Sequence, residues 1–241
     1  YRFAPTRVWF EQYQPGPGVE LHANAAVLDS APDASEGALI RQEMTDPALL
    51  ALLAQHRVGG RAVLPAAFYL DLLAAAARRL TGGDLELCNI RFTAMLALSE
   101  AQAARLVVQG QRSGQREWVL SLTALPRDGG AVKLLAEARL HEDPIAPPLP
   151  VPLPDSLPHH LTGEALYTQL GDSGLDYGPA FRGLTEATFG PGQARAKVAT
   201  PDPGQWPSHL LDPRLLDAAL HALAPALRAA EGEASEGMWV P

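Results

Sequence analysis

A histidine and an aspartate that could move protons stand in two separate segments of this 241-residue sequence. In the first segment, HRVGGRAVLP, His56 is followed by Gly60 and by Pro65, which precedes a long apolar stretch. Histidine suits general-base chemistry because its ordinary pKa lies close to neutrality. A lone histidine beside a helix start is, however, more often a structural residue, so this segment alone does not predict catalysis.

The second segment, LDPRLLDAALHAL, places Asp217 and His221 four residues apart, on one face of an otherwise apolar helix. Two interpretations compete. The pair could be a surface interaction worth about 0.2–0.5 kcal/mol, or the apolar setting could raise the pKa of Asp217 so that it keeps a proton, as a general acid must. A metal site is not expected, because metal-ligand spacing is absent from the remaining histidines His22, His141, His159, His160 and His209.

A third segment, GLDYGPAFRGL, holds an aromatic hydroxyl beside flexible backbone. Tyr177, Gly178 and Pro179 form a turn sequence, since glycine and proline favour the backbone angles of tight turns. By itself this segment is equally compatible with an ordinary turn and a packed tyrosine. In the sequence, this segment lies between the other two, so the three form an ordered set of motifs.

The elements that must position these residues are two apolar helices and several strands. Residues 64–80 and 214–230 predict the helices, and the first of these contains a single acidic residue, Asp71, in its apolar part. Alternating apolar and polar residues predict strands over 117–125, 131–140 and 194–198. This pattern indicates an α+β protein in which an antiparallel sheet wraps around a central helix, twice.

A proline-rich segment separates the two halves. Residues 143–158, DPIAPPLPVPLPDSLP, carry a proline every two or three positions, which no helix or central strand tolerates. We therefore predict a stiff linker there, after a first domain and before a second.

Composition excludes several classes of protein. The net charge of −8 and the scattered 19 basic residues argue against a nucleic-acid partner. Cys88 is the single cysteine, so neither an internal disulfide nor a cysteine-based zinc site can form, and a reducing cytoplasm is expected. The apolar stretches are too short to span a membrane.

In their order, the three segments resemble the motifs HxxxGxxxxP, GYxYGPxF and DxxxQ or DxxxH of the dehydratase domains of modular type I polyketide synthases. Leu175 stands where the second motif usually has its first tyrosine. The resemblance implies a double-hotdog fold, with residues 1–18 a linker remnant, 19–142 and 159–241 the two hotdogs, and the last strands of the second incomplete. It also implies His56 as base and Asp217 as acid, with substrate positioned by Gly60, Pro65, Tyr177, Gly178, Pro179 and His221.

The implied reaction removes water from a 3-hydroxyacyl thioester during polyketide elongation. By resemblance, the substrate arrives on the phosphopantetheine arm of an acyl carrier protein, and no other cofactor is needed. The expected partners are that carrier and neighbouring synthase domains, with neither nucleic acid nor membrane, and a homodimer is compatible with the family.

Three other functions stay open at this point. The same pair could dehydrate and then close a pyran ring or shift the alkene. A domain kept as an inactive scaffold is disfavoured, because both His56 and Asp217 are present. A hotdog thioesterase would activate water with a carboxylate and release a free acid, and the order of the motifs argues against it.

Overall fold

The computed structural model describes residues 40–82, 86–142, 156–199 and 211–231. The predicted linker remnant 1–18, most of the proline-rich segment 143–158 and the chain end at 232–241 lie outside this range. The helices are α1 Pro47–Leu53, α2 Ala66–Thr81, α3 Leu98–Gln102, α4 Gly163–Asp172, α5 Pro213–His221 and α6 Leu223–Glu231. The strands are β1 Ile40–Glu43, β2 His56–Val58, β3 Arg61–Ala62, β4 Glu86–Phe92, β5 Ala104–Arg112, β6 Glu117–Pro126, β7 Lys133–His141, β8 His159–Thr162, β9 Leu175–Tyr177, β10 Leu184–Gly190 and β11 Gln193–Val198.

The first half is an antiparallel sheet packed on α2. Its strands run in the order β1-β5-β6-β7-β4, and α2 contacts all five of them. The predicted alternation in β6 is confirmed, since one face of the strand is buried at Trp118, Leu120, Leu122 and Ala124. This pattern places the apolar face of the sheet against the helix, as a half-buried strand requires.

Helix α2 is buried along most of its length because its sequence is almost entirely apolar. Pro65 stands at the N-cap, immediately before the first helical residue, and Gly82 ends the helix with a left-handed φ of 70°. A glycine adopts that conformation without the steric cost that a Cβ would impose. The one acidic residue of its apolar part, Asp71, is buried and accepts a hydrogen bond from the main-chain N–H of Leu211, 140 residues away.

The second half packs α5 and α6 against the antiparallel sheet β11-β10-β8. The sequence predicted one continuous helix over 214–230, and this was wrong in one respect, because the helix is broken after His221. Pro225 explains the break, since its ring clashes with the carbonyl of the residue four positions earlier and it has no N–H to donate. Helix α5 also contacts α2, so the central helices of the two halves meet.

A third, short sheet joins the halves and was not predicted. Its order is β3-β2-β9, so β9 of the second half pairs with β2 of the first half, and β2 pairs on its other edge with β3. In this sheet His56 lies directly opposite Tyr177. Residues 121 positions apart in the sequence are thereby held in register by backbone hydrogen bonds.

Among the helices that the structure describes, none combines the length and hydropathy needed to span a bilayer.

Candidate active site

His56 opens strand β2 and is held by its main-chain neighbours. The side chain is only 5% exposed, and Nδ1 lies 3.1 Å from the carbonyl oxygen of Val63. A carbonyl can only accept, so Nδ1 carries the proton and Nε2 of the neutral ring presents a lone pair. That nitrogen lies 3.9 Å from Oδ2 of Asp217. The structure therefore brings together the histidine and the aspartate that the sequence singled out.

Asp217 and His221 lie on the buried face of α5. They are 3% and 0% exposed, and Oδ2 of Asp217 lies 3.0 Å from Nε2 of His221. At this distance the two atoms are close enough to share a proton, and neither has another hydrogen-bond partner among the described residues. Burial of this degree rules out the solvent-exposed surface pair that was one interpretation of their spacing.

Aromatic rings enclose the space around these three groups. Tyr177 meets the His56 ring edge-on at 5.3 Å between centroids and the His221 ring at 4.2 Å. The ring of Phe181 also meets the His56 ring edge-on, at 5.5 Å between centroids. The hydroxyl of Tyr177 is buried and has no hydrogen-bond partner within the described part of the chain. A substrate hydroxyl placed there would supply the partner that this group lacks.

The glycines and prolines of the motifs shape the backbone around the site. Gly59 and Gly60 both have positive φ, 55° and 75°, and form the two-residue turn between β2 and β3. The positive φ that this turn requires accounts for both glycines without a ligand, so a role for Gly60 in positioning substrate stays a prediction. Pro179 begins a short 3₁₀ helix, Pro179–Phe181, that places Phe181 against His56.

Gln55 was missed by the sequence reasoning, although it directly precedes His56. Its main-chain oxygen accepts from the N–H of Gly178 at 2.8 Å, and its side-chain Oε1 accepts from the N–H of Ala180 at 3.0 Å. A Cβ on Gly178 would meet the Gln55 side chain at 2.6 Å. The glycine therefore permits a close approach between the first and second motifs. No sequence signal marks a glutamine that acts through main-chain contacts of this kind.

Tyr167 was also missed. It lies on α4 beside Leu166 and Leu170, which are buried with it, so in the sequence it is indistinguishable from a core residue. In the structure its hydroxyl lies 3.3 Å from Nδ1 of His221. The guanidinium of Arg182 lies over its ring, and Nε of that arginine donates to the carbonyl of Tyr177 at 2.7 Å.

The start of α5 is anchored by buried polar contacts. Asp212 caps the helix by accepting from the N–H of Arg214, and it also binds the buried guanidinium of that arginine at 2.8 and 3.1 Å. Asp71 on α2 accepts from the N–H of Leu211 at 2.9 Å. These contacts hold the helix that carries Asp217 against the helix of the other half.

Burial and mutual charge set the protonation of the central groups. Burial lowers the pKa of His56 below its ordinary value, and the nearby carboxylate of Asp217 opposes that effect only in part. For Asp217, burial raises the pKa, but the imidazoles of His221 and then His56 outweigh burial, so the pKa is lowered. The raised pKa expected from the apolar setting is therefore wrong for this residue taken alone, because that expectation left out the imidazole of His221.

Within the described ranges, no three histidine, cysteine, aspartate or glutamate side chains are grouped to hold a metal ion. The polar groups of the site are instead an acid–base set enclosed by aromatic rings. This is a constellation suited to proton transfer to and from a substrate.

Comparison with known proteins identifies the family. The model of the polyketide synthase dehydratase domain matches residues 27–122, and the model described as the polyketide synthase dehydratase N-terminal domain matches residues 145–241. Together they account for most of the chain, which belongs to the family of polyketide synthase dehydratase domains. The resemblance seen in the three motifs is confirmed.

Similar proteins include polyketide synthases much longer than this chain. The chain is 31% identical, over its whole length, to the spectinabilin polyketide synthase system protein NorA′ of Streptomyces orinoci. It is 33% identical, over 78% of its length, to the mycocerosic acid synthase-like polyketide synthase of Mycobacterium tuberculosis. It spans only 7% and 9% of the lengths of these two relatives.

Solved structures of similar fold are dehydratase domains. The dehydratase domain from the CurK module of the curacin polyketide synthase superposes with a TM-score of 0.65 at 24% identity, covering 81% of this chain and 71% of that one. The dehydratase domain of RzxB from Pseudomonas fluorescens gives the same TM-score and identity, with coverage of 82% and 72%. The predicted α+β double-hotdog fold is thereby confirmed.

Proposed function

We propose that this chain removes water from a 3-hydroxyacyl thioester, with His56 as general base and Asp217 as general acid. The observation that carries the proposal is the position of Nε2 of His56, 3.9 Å from Oδ2 of Asp217 in a buried site. The two groups approach one space from opposite halves of the fold. His56 could therefore accept the C2 proton of a bound substrate while Asp217 protonates its C3 hydroxyl.

The proton balance of the reaction follows from these positions. Nε2 of His56 takes the C2 proton, and the electron pair of that C–H bond becomes the second bond between C2 and C3. The C3–O bond breaks, and the leaving hydroxyl takes a proton from the Asp217–His221 pair and departs as water. The lowered pKa of His56 supports this role, because the ring stays neutral and able to accept at neutral pH.

Tyr177 and His221 complete the site in this proposal. The unpartnered hydroxyl of Tyr177 would bind the C3 oxygen as the C3–O bond breaks, and His221 would hold the acidic proton with Asp217. Gly60, Pro65, Gly178 and Pro179 would position substrate through the backbone turns that they form. Two similar CurK structures are of inactive variants, one with a histidine replaced by phenylalanine and one with an aspartate replaced by asparagine. They support a histidine and an aspartate as essential groups.

The remaining parts of the proposal concern delivery. We infer that the substrate comes on the phosphopantetheine arm of an acyl carrier protein and that neighbouring synthase domains make and use the intermediates. The family membership supports this inference, because the similar proteins are polyketide synthases much longer than this chain. The domain limits 19–142 and 159–241 and a homodimer belong to the same proposal.

Mass spectrometry of intact thioesters tests the proposal. A set of 3-hydroxyacyl pantetheine and carrier-protein thioesters of both hydroxyl configurations is incubated with the wild-type protein, His56→Ala and Asp217→Asn. Wild type should produce species lighter by one water, and each variant should be slower by about 10²- to 10⁴-fold. The matched controls are His160→Ala and Asp172→Asn, which change exposed residues outside the site and should retain activity.

Other products would overturn or extend the assignment. Release of a free acid would favour the thioesterase, and turnover that survives in both site variants would exclude the proposed pair. With a substrate carrying a distal hydroxyl, a later change of retention time without a change of mass would reveal ring closure or an alkene shift. An absence of water loss from every substrate would favour the scaffold.

A further inference from the structure

The hydroxyl of Tyr167 lies where three polar groups meet. It is 3.2 Å from the carbonyl oxygen of Phe181, 3.0 Å from the main-chain N–H of Leu184 and 3.3 Å from Nδ1 of His221. A phenol has one proton to donate and two lone pairs that accept. The carbonyl can only accept and the N–H can only donate, so two of the three contacts have a fixed direction.

The third contact then has one consistent direction. With its proton given to Phe181 and one lone pair used by Leu184, the hydroxyl of Tyr167 has only an accepting lone pair left. His221 must therefore donate from Nδ1. All three contacts are satisfied together in this arrangement. In the opposite arrangement, with Tyr167 donating to His221, the carbonyl of Phe181 loses this partner.

A proton on Nδ1 has a consequence at the other side of the ring. In the neutral imidazole, Nε2 then carries a lone pair that faces Oδ2 of Asp217 at 3.0 Å. Two lone pairs at that distance repel unless a proton lies between them. The pair therefore keeps one more proton than it would with His221 protonated only on Nε2.

We propose that Tyr167 is a positioning residue, which holds a proton on Nδ1 of His221 and so makes the Asp217–His221 pair retain the proton that the leaving hydroxyl takes up. This inference rests on the proposed dehydration and assigns a role to a residue outside the three motifs. Tyr167 touches neither His56 nor Asp217 in a hydrogen bond, and it acts through His221.

The surroundings of Tyr167 support the role. The residue is buried, and burial raises its pKa to about 12, so the hydroxyl keeps its proton at neutral pH. Other titratable groups adjoin the pair or occupy elements packed on α5. They include His56 on β2, Tyr69, Asp71, Arg78 and Arg79 on α2, Tyr177 on β9, Arg182 after the 3₁₀ helix, Glu186 on β10, Arg195 and Lys197 on β11, Arg214 on α5 and Arg228 on α6. Lys197 pairs with Glu186, and Arg228 donates to Ser173.

Nitrogen NMR of the histidine side chains tests the tautomer directly. With ¹⁵N-labelled histidine, two-bond and three-bond proton correlations show which ring nitrogen carries hydrogen, and His221→Gln identifies the His221 signals among the seven histidines. The wild-type protein should show a protonated Nδ1 at His221. In Tyr167→Phe that proton should be lost, leaving Nε2–H facing the carboxylate. A wild-type His221 that is protonated only on Nε2 would overturn the proposal.

A pH profile of dehydration tests the consequence. The reaction needs the pair in its proton-rich state, so the rate falls at high pH, and losing the acceptor for Nδ1–H should move this fall to lower pH. We expect Tyr167→Phe to shift the alkaline limb of kcat/KM by about one unit, equal to about tenfold on that limb. Tyr69→Phe, which alters a buried tyrosine on α2 packed against Phe92, should leave the limb in place.

The outcomes separate this inference from the proposed function. An equal loss at every pH, with an unchanged His221 tautomer, would mean that Tyr167 is structural only, and dehydration by His56 and Asp217 would stand. Full activity of His56→Ala and Asp217→Asn would instead remove the proposed function, whatever the NMR spectra show. The melting temperature of Tyr167→Phe measures separately the stability lost with the hydrogen bonds to the main chain of Phe181 and Leu184.

Discussion

The hydroxyl of Tyr177 is buried without a partner among the described residues, although burying such a group costs about 1–3 kcal/mol. Burial also raises the pKa of Tyr177, so the hydroxyl remains a donor over the working pH range. A cost of this kind is typical of groups whose partner is the substrate. At the residue scale, the buried hydroxyl of Tyr177 therefore lowers the stability of the protein and remains free to donate a hydrogen bond.

Replacing Tyr177 by phenylalanine should separate activity from stability. Because the hydroxyl makes no hydrogen bond to the described residues, we expect an equal or higher melting temperature for Tyr177→Phe. Dehydration should fall by about 10- to 100-fold, since a donor to the leaving oxygen is lost. Calorimetry and steady-state kinetics measure the two effects. A lower melting temperature with unchanged kcat would show that the hydroxyl is structural, and Tyr69→Phe is the matched control.

At the element scale, the position of α5 decides whether Asp217 reaches His56. The helix begins at buried polar contacts, with Asp212 binding Arg214 and Asp71 of α2 accepting from Leu211. Asp217 lies only a few residues farther along the same helix. A shift at the helix start is therefore transmitted to the carboxylate with little loss, because a short helix moves as a rigid rod.

Removing the Asp71 carboxylate should loosen this anchor. In Asp71→Ala the N–H of Leu211 loses this acceptor, which costs about 1–3 kcal/mol, and we expect kcat to fall by about tenfold as Asp217 is displaced. Asp71→Asn keeps an oxygen that can accept from the same N–H, so its losses should be smaller. Urea unfolding and kinetics of both variants measure this. Equal effects of the two substitutions would show that the hydrogen bond from Leu211 does not account for the loss of stability and of kcat.

At the scale of the whole molecule, the two halves share a sheet and a helix interface. Strand β9 of the second half completes the sheet begun by β2 and β3, and α2 contacts α5. Since neither half presents the complete site alone, the catalytic geometry depends on their docking. We expect the halves to unfold in one cooperative transition.

A substitution in the second half tests this coupling. Gly163 begins α4, and a Cβ there would collide with the main-chain carbonyl of Leu184, so Gly163→Ala should destabilise the protein by about 1–3 kcal/mol. Hydrogen exchange should then show equal losses of protection in β10 and in β6 of the other half. In Gly114→Ala the new Cβ finds ordinary contacts at 3.5 Å, so protection should be unchanged. Loss confined to β10 would show that the halves unfold separately.

Much of this organisation was predictable because it depends on local chemistry. The periodicity of β6 and of α2 is a property of consecutive residues, and both elements were found where the alternation and the apolar run placed them. The ordered motifs around His56, Tyr177 and Asp217 are likewise short stretches of sequence, and they were sufficient to predict the family. The break after His221 was also encoded locally, by Pro225, but the apolar pattern masked it.

The sequence by itself determined the residue types of the site and the halves that carry them, because side-chain chemistry and hydrophobic periodicity are local properties. Only the tertiary structure decided that β2 pairs with β9, that His56 lies 3.9 Å from Asp217, and that Tyr167 and Gln55 support them. These facts depend on contacts between residues far apart in the chain. Their free energy comes from packing and hydrogen bonds that no single segment contains.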